Sequence, residues 1–134
     1  LECWTPGTAR GPLVGGNLSL LAACAAAGRL SWPAGAVVAF EDVTESAYRV
    51  DRLLTSLFAA GYFDRVSGVV VGSFTDCPSS AGVEPRDVLR EKLGELRVPV
   101  AAGLQFGHGA WNEPLVFGLD ASLDATRGEL VLAA

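Results

Sequence analysis

Ala36-Val37-Val38-Ala39-Phe40 and Val66-Ser67-Gly68-Val69-Val70-Val71-Gly72-Ser73-Phe74 are two short apolar runs rich in β-branched residues. Runs of this kind read as strands buried on both faces. Between them, from Ser46 to Ala60, the apolar residues Val50, Leu53, Leu54, Leu57 and Phe58 recur every three or four positions. That spacing predicts an amphipathic helix, and Gly61 stands where it should end. The unit is strand, crossover helix, parallel strand, so the fold class is α/β.

On the N-terminal side, Asn17 is placed to cap a short, largely buried helix over Leu18 to Ala27, with Gly28 as its terminator. Before it, Leu1 to Val14 contains Pro6, Gly7, Gly11 and Pro12, a composition suited to an extended or looped lead-in. On the other side, Cys77 to Val83 reads as a loop, and Pro85 suits the first turn of a helix running to about Leu96. Val98 to Ala102 is a further strand. Leu115 to Leu119 and Leu123 to Leu132, interrupted over Asp124 to Gly128, predict an antiparallel closing hairpin. The sheet is therefore mixed. No repeat, low-complexity block or linker divides the chain, so residues 1–134 are read as one domain.

Composition narrows the function. Half of the 134 residues are hydrophobic and 19% are charged, the balance of a packed domain and not of a disordered tail. Ten basic and fifteen acidic residues give a net charge of -5, which disfavours nucleic acid and anionic lipid as partners. The longest apolar run, Leu20 to Ala27, is far short of the roughly 20 residues needed to cross a bilayer. Cys3, Cys24 and Cys77 are odd in number and far apart, which fits neither a disulfide framework nor a zinc site and points to a reducing compartment. With no Met anywhere, the chain is expected to be a piece of a longer polypeptide.

In open α/β sheets, chemistry gathers beyond the carboxyl ends of the strands. Glu41 and Asp42 follow the strand ending at Phe40, and His108, the sole histidine, lies between two glycines past the strand ending near Ala102. A carboxylate that holds an imidazole is the orienting half of a nucleophilic triad. Each also has a plain structural reading: a loop histidine, and a cap or solvated-loop carboxylate. No serine lies on a GxSxG elbow, and nothing in the sequence lowers the pKa of Cys77, so the nucleophile is missing. Gly11 to Ser19 lacks the lysine of a phosphate-binding loop and reads as a tight turn. Arg49, Asp51 and Arg52 read as a solvated helix face. Trp111 could line a cleft or pack partly buried.

Five blocks carry a resemblance: Val14-Gly-Gly-Asn-Leu-Ser-Leu-Leu21, Phe40-Glu-Asp-Val-Thr-Glu-Ser-Ala-Tyr-Arg-Val-Asp-Arg52, Gly68-Val-Val-Val-Gly-Ser-Phe74, Val98-Pro-Val100 and Phe106-Gly-His108. In order and over nearly the whole chain, they resemble the C-terminal domain of the serine LD-carboxypeptidases, which include muramoyltetrapeptide carboxypeptidase and the microcin-immunity peptidases. The resemblance implies a swivelling β/β/α domain with a mixed, barrel-like sheet flanked by helices. Glu41 matches the family's catalytic carboxylate and His108 its histidine. The serine nucleophile would then lie in an N-terminal domain that this chain does not contain.

By the same resemblance, the full enzyme would release a terminal D-amino acid, D-Ala, from an L,D-linked murein tetrapeptide in the cytoplasm during cell-wall recycling. No metal or cofactor is implied. The partners implied are the chain's own N-terminal domain, the peptide substrate and, through an uncovered apolar patch, a second copy of the chain. Two other readings compete: a non-catalytic peptide-binding or interdomain module on the same scaffold, and a nucleotide-binding module using Gly11 to Ser19. Ala27-Gly28, where relatives often have a Gly-Thr pair, and the segment after His108 depart from the family pattern and leave the peptide open.

Overall fold

Ser46 accepts a hydrogen bond from the Arg49 N–H, and this cap starts the long helix where the sequence places it. In a computed structural model describing residues 1–133, ten elements follow one another. They are β1 (Glu2–Thr5), β2 (Thr8–Asn17), α1 (Leu18–Ala26), β3 (Val37–Val43), α2 (Ala47–Ala59), β4 (Gly68–Thr75), α3 (Pro85–Gly94), β5 (Val100–Ala102), β6 (Asp120–Asp124) and β7 (Glu129–Ala133).

All the strands join one seven-stranded sheet in the order β1-β5-β4-β3-β2-β6-β7. The β2–β3, β3–β4 and β4–β5 pairs are parallel, and the β1–β5, β2–β6 and β6–β7 pairs are antiparallel. The sheet is mixed and curls into a half-barrel, an α/β architecture.

Alternation along the central strands divides their side chains between two cores. Val38, Phe40, Val69 and Val71 face the helices, where they meet Leu18 and Leu21 of α1, Val50, Leu54 and Leu57 of α2, and Leu89 and Leu93 of α3. Val37, Ala39 and Val70 face the concave side, with Leu13, Ala121, Leu123 and Ala125. The curl brings the chain start to the β6–β7 turn. There the Leu1 ammonium donates to Gly128 O at 3.0 Å and the Gly7 N–H to Thr126 Oγ1 at 3.0 Å.

The structure corrects several expectations. Of the extended and looped alternatives for Leu1 to Val14, the extended one holds: the segment forms β1 and most of β2, and β2, not expected as a sheet strand, lies between β3 and β6. Gly11 and Gly15 of β2 serve close approach. A Cβ on Gly15 would lie 1.7 Å from Ala39 O, so no side chain fits there. Glu41 and Asp42 do not follow β3 but lie within it, because pairing with β2 and β4 continues past Phe40, with Asn17 beside Glu41 and Phe74 beside Asp42. Helix α1 is less buried than its composition predicts: Leu18 and Leu21 are covered, while Leu20 is 66% exposed. The closing hairpin is β6 and β7, and Leu115 to Leu119 is irregular. No helix among the described residues is long and apolar enough to cross a membrane.

Gly15 and Gly16 separate strain from steric overlap, since both have positive φ but only Gly15 has backbone against its Cβ position. Gly16→Ala is expected to cost about 1–2 kcal/mol in urea unfolding, and Gly15→Ala more than about 3 kcal/mol. Equal losses for the two variants would show that the β2–β3 approach is not what constrains Gly15.

Candidate active site

The carboxyl ends of β2 and β3 lie side by side, with Asn17 paired to Glu41 in register. Three chain segments meet there: the N-terminus of α1, the end of β3, and the 103–119 loop that leaves β5. A loop of that length without secondary structure is usually functional.

Alternation sends the two adjacent carboxylates to opposite faces of the sheet. Asp42, 2% exposed, accepts from Asn17 Nδ2 (3.0 Å), Ser19 N (2.9 Å), Ser19 Oγ (2.6 Å) and Val43 N (2.8 Å). Four donors and the first turn of α1 satisfy a charge that burial alone would make costly. Glu41, 4% exposed, has one oxygen near Asn17 Nδ2 at 3.3 Å and the other 2.7 Å from His108 Nδ1. Asn17 is fully engaged: its Oδ1 caps α1 by accepting from Leu20 N at 3.1 Å, which turns its amide nitrogen toward both carboxylates.

His108 reaches Glu41 because Gly107 precedes it. Gly107 has φ +124°, and a Cβ there would lie 2.6 to 2.8 Å from the Glu41 side chain. The imidazole is 53% exposed, so one ring nitrogen is held by a buried carboxylate while the other edge faces outward. Glu41 raises the His108 pKa above the ordinary histidine value, first through the hydrogen bond and then through its charge; Asp42 adds to the effect, and desolvation opposes it. Among the described residues, no hydroxyl or thiol is hydrogen-bonded to the ring.

Known proteins share this sequence and this fold. The profile of the LD-carboxypeptidase C-terminal domain matches residues 10–123. The chain belongs to this family. It is 40% identical over 130 residues to a Synechocystis sp. protein that bears a carboxypeptidase name, covering 95% of this chain and 43% of that protein. It is 36% identical over 119 residues to the murein tetrapeptide carboxypeptidase of Pseudomonas aeruginosa, covering 87% of this chain and 39% of that enzyme. The crystal structure of muramoyltetrapeptide carboxypeptidase from Oxalobacter formigenes superposes with a TM-score of 0.84 at 31% identity, over 95% of this chain and 45% of that one. This LD-carboxypeptidase domain thus spans about two-fifths of the length of the relatives it matches.

The other residues marked in the sequence lie elsewhere or do other work. Gly11 to Asn17 is strand, and its last residue and Ser19 act as donors to the carboxylates. Arg49 pairs with Glu45, and Asp51 with Lys92 of α3 at 3.3 Å. The Cys77 thiol donates to Thr75 O at 3.4 Å, and burial above all pushes its pKa up, the opposite of what activates a thiol nucleophile. Trp111, on the His108 loop, is 69% exposed. The sequence reading missed Asn17 and Ser19 as carboxylate partners. Their signal was a second strand beside β3 ending at Asn17, which the glycines disguised.

His108 is the only imidazole, so its titration can be followed as a single proton resonance. The midpoint is expected above about 6.5, and Glu41→Gln should bring it down toward that value. Because the folded pKa is the raised one, the pair's contribution to stability is complete below about pH 6.5 and fades as pH rises through the folded value. A wild-type midpoint at or below 6.5 would contradict the contact.

Proposed function

We propose that this chain is the half of a serine-type LD-carboxypeptidase that supplies the acid-base pair, and that the whole enzyme hydrolyses the bond to a terminal D-amino acid, D-Ala, in an L,D-linked murein tetrapeptide. The observation that carries this reading is the 2.7 Å contact between His108 Nδ1 and a Glu41 buried on its other sides. The names of the murein-peptide relatives support the substrate class. The serine would come from an N-terminal domain, and the reaction would run in the cytoplasm on peptide recovered from the cell wall.

With its Nδ1–H donated to Glu41, neutral His108 presents Nε2 outward as a base. Nε2 takes the proton of the serine hydroxyl as its oxygen attacks the peptide carbonyl, and Glu41 stabilises the resulting imidazolium. His108 then returns that proton to the leaving amine, releasing D-Ala and an acyl-enzyme. Water, deprotonated by the same nitrogen, completes hydrolysis and restores the serine. The work of Glu41 is to fix the tautomer and the ring plane.

The test joins this domain to its serine-bearing half and assays release of D-Ala from murein tetrapeptide. His108→Ala and Glu41→Gln are each expected to lower kcat roughly a thousandfold or more, with folding retained. The acidic limb of the rate profile should follow the His108 titration and shift to lower pH in Glu41→Gln. The 134-residue chain alone should release nothing. Full turnover in His108→Ala would reject the catalytic reading and leave a peptide-binding module on the same scaffold.

A further inference from the structure

The Gly72-Ser73 step sits inside a block that carries the family resemblance, and the reaction steps give it no work. β3 and β4 keep an even register from Val37 beside Gly68 to Phe40 beside Val71, and then Asp42 lies beside Phe74. Between those last two pairs, β3 advances from 40 to 42 and β4 from 71 to 74, so β4 carries one extra residue opposite Glu41. A bulge of this kind turns backbone groups out of the ladder.

Here they turn toward the His108 loop. The Ser73 N–H donates to Phe106 O at 2.9 Å, and Ser73 Oγ donates to the same oxygen at 2.8 Å. Two donors use both lone pairs of that carbonyl. Gly72 makes room for the approach: a Cβ there would lie 2.6 Å from Phe106 O and 3.0 Å from Glu41 Cβ. Ser73 therefore holds the loop that carries His108, and Gly72 leaves the space that this loop and the Glu41 side chain occupy.

We propose that Ser73 is a positioning residue for the Glu41–His108 pair: the β4 bulge clamps the Phe106 carbonyl, two residues before His108, and so sets the imidazole against Glu41. The kinetic side of this inference rests on the catalytic reading above; the structural side rests on geometry alone. A half-exposed ring on a long irregular loop has many orientations available, and each must be lost for Nε2 to face one direction. Ser73 removes that freedom from below, at the backbone, without touching the ring. The charged groups acting on the ring are Glu41 and Asp42, both from β3, with desolvation opposing them, so loss of the Glu41 contact should lower its titration midpoint.

The experiment compares Ser73→Ala and Ser73→Thr, the second keeping the hydroxyl on a β-branched side chain suited to a strand. In the 134-residue chain, Ser73→Ala should move the His108 midpoint toward the ordinary histidine value, and Ser73→Thr should restore it. In the joined enzyme, Ser73→Ala should lower kcat about tenfold with KM within about twofold, a loss in keeping with a small misplacement of a reacting group. Ser73→Thr should recover the rate. A wild-type titration and rate in Ser73→Ala would overturn the proposal, as would a loss that Ser73→Thr fails to recover. If His108→Ala keeps full turnover, the catalytic reading falls and the titration by itself still decides whether Ser73 positions the ring.

Discussion

Two neighbouring carboxylates buried in a central strand constrain everything around them. Glu41 and Asp42 are 4% and 2% exposed, and alternation along β3 puts one on each face of the sheet. A carboxylate removed from water without donors is strongly destabilising, so each face must bring donors to the same height on the strand. On the helix side, α1 meets this demand with its first turn and Ser19. On the concave side, the His108 loop meets it. Asn17 serves both carboxylates. The path of β2, the start of α1 and the return of the 103–119 loop are all consequences of that demand.

The two carboxylates end in different environments, and the difference sorts their roles. Asp42 is enclosed by protein donors on both oxygens and by the helix N-terminus, so it anchors α1 to β3. Glu41 turns one oxygen to an imidazole whose far edge reaches solvent. A buried anion against a half-exposed ring combines a fixed orientation with access to whatever approaches from outside. It also explains the raised pKa of the ring, since the carboxylate favours the protonated form more than desolvation disfavours it.

Much of the fold was legible because its signals are local. The helical period from Val50 to Phe58 and the two apolar runs beside it define a crossover unit within about forty residues, and α2, β3 and β4 form on those patterns, with β3 running three residues further, to Val43. β2 was not legible. Gly11, Pro12, Gly15 and Gly16 look like chain breakers, and only the nearness of β3 reveals that Gly15 is there to let Ala39 O approach. The closing hairpin was misplaced for a related reason. Leu115 to Leu119 is apolar without alternation, whereas Asp120-Ala121-Ser122-Leu123 alternates exposed and buried, the true mark of a strand with one wet face.

The site divides in the same way. Sequence alone determined the fold class, the family, and the residues competent for proton chemistry: one histidine, and a carboxyl pair beside a buried strand. Those follow from residue type and short-range spacing, which the chain carries openly. Resemblance had already singled out Glu41 of the pair; tertiary structure decided how it meets His108, across 67 residues of sequence, and that Asn17, Gly107 and the β4 bulge hold the geometry. Which face a side chain takes depends on strand register, and a loop's return depends on donors from distant segments. Both are set by packing and hydrogen-bond satisfaction in three dimensions, and neither leaves a local pattern in the chain.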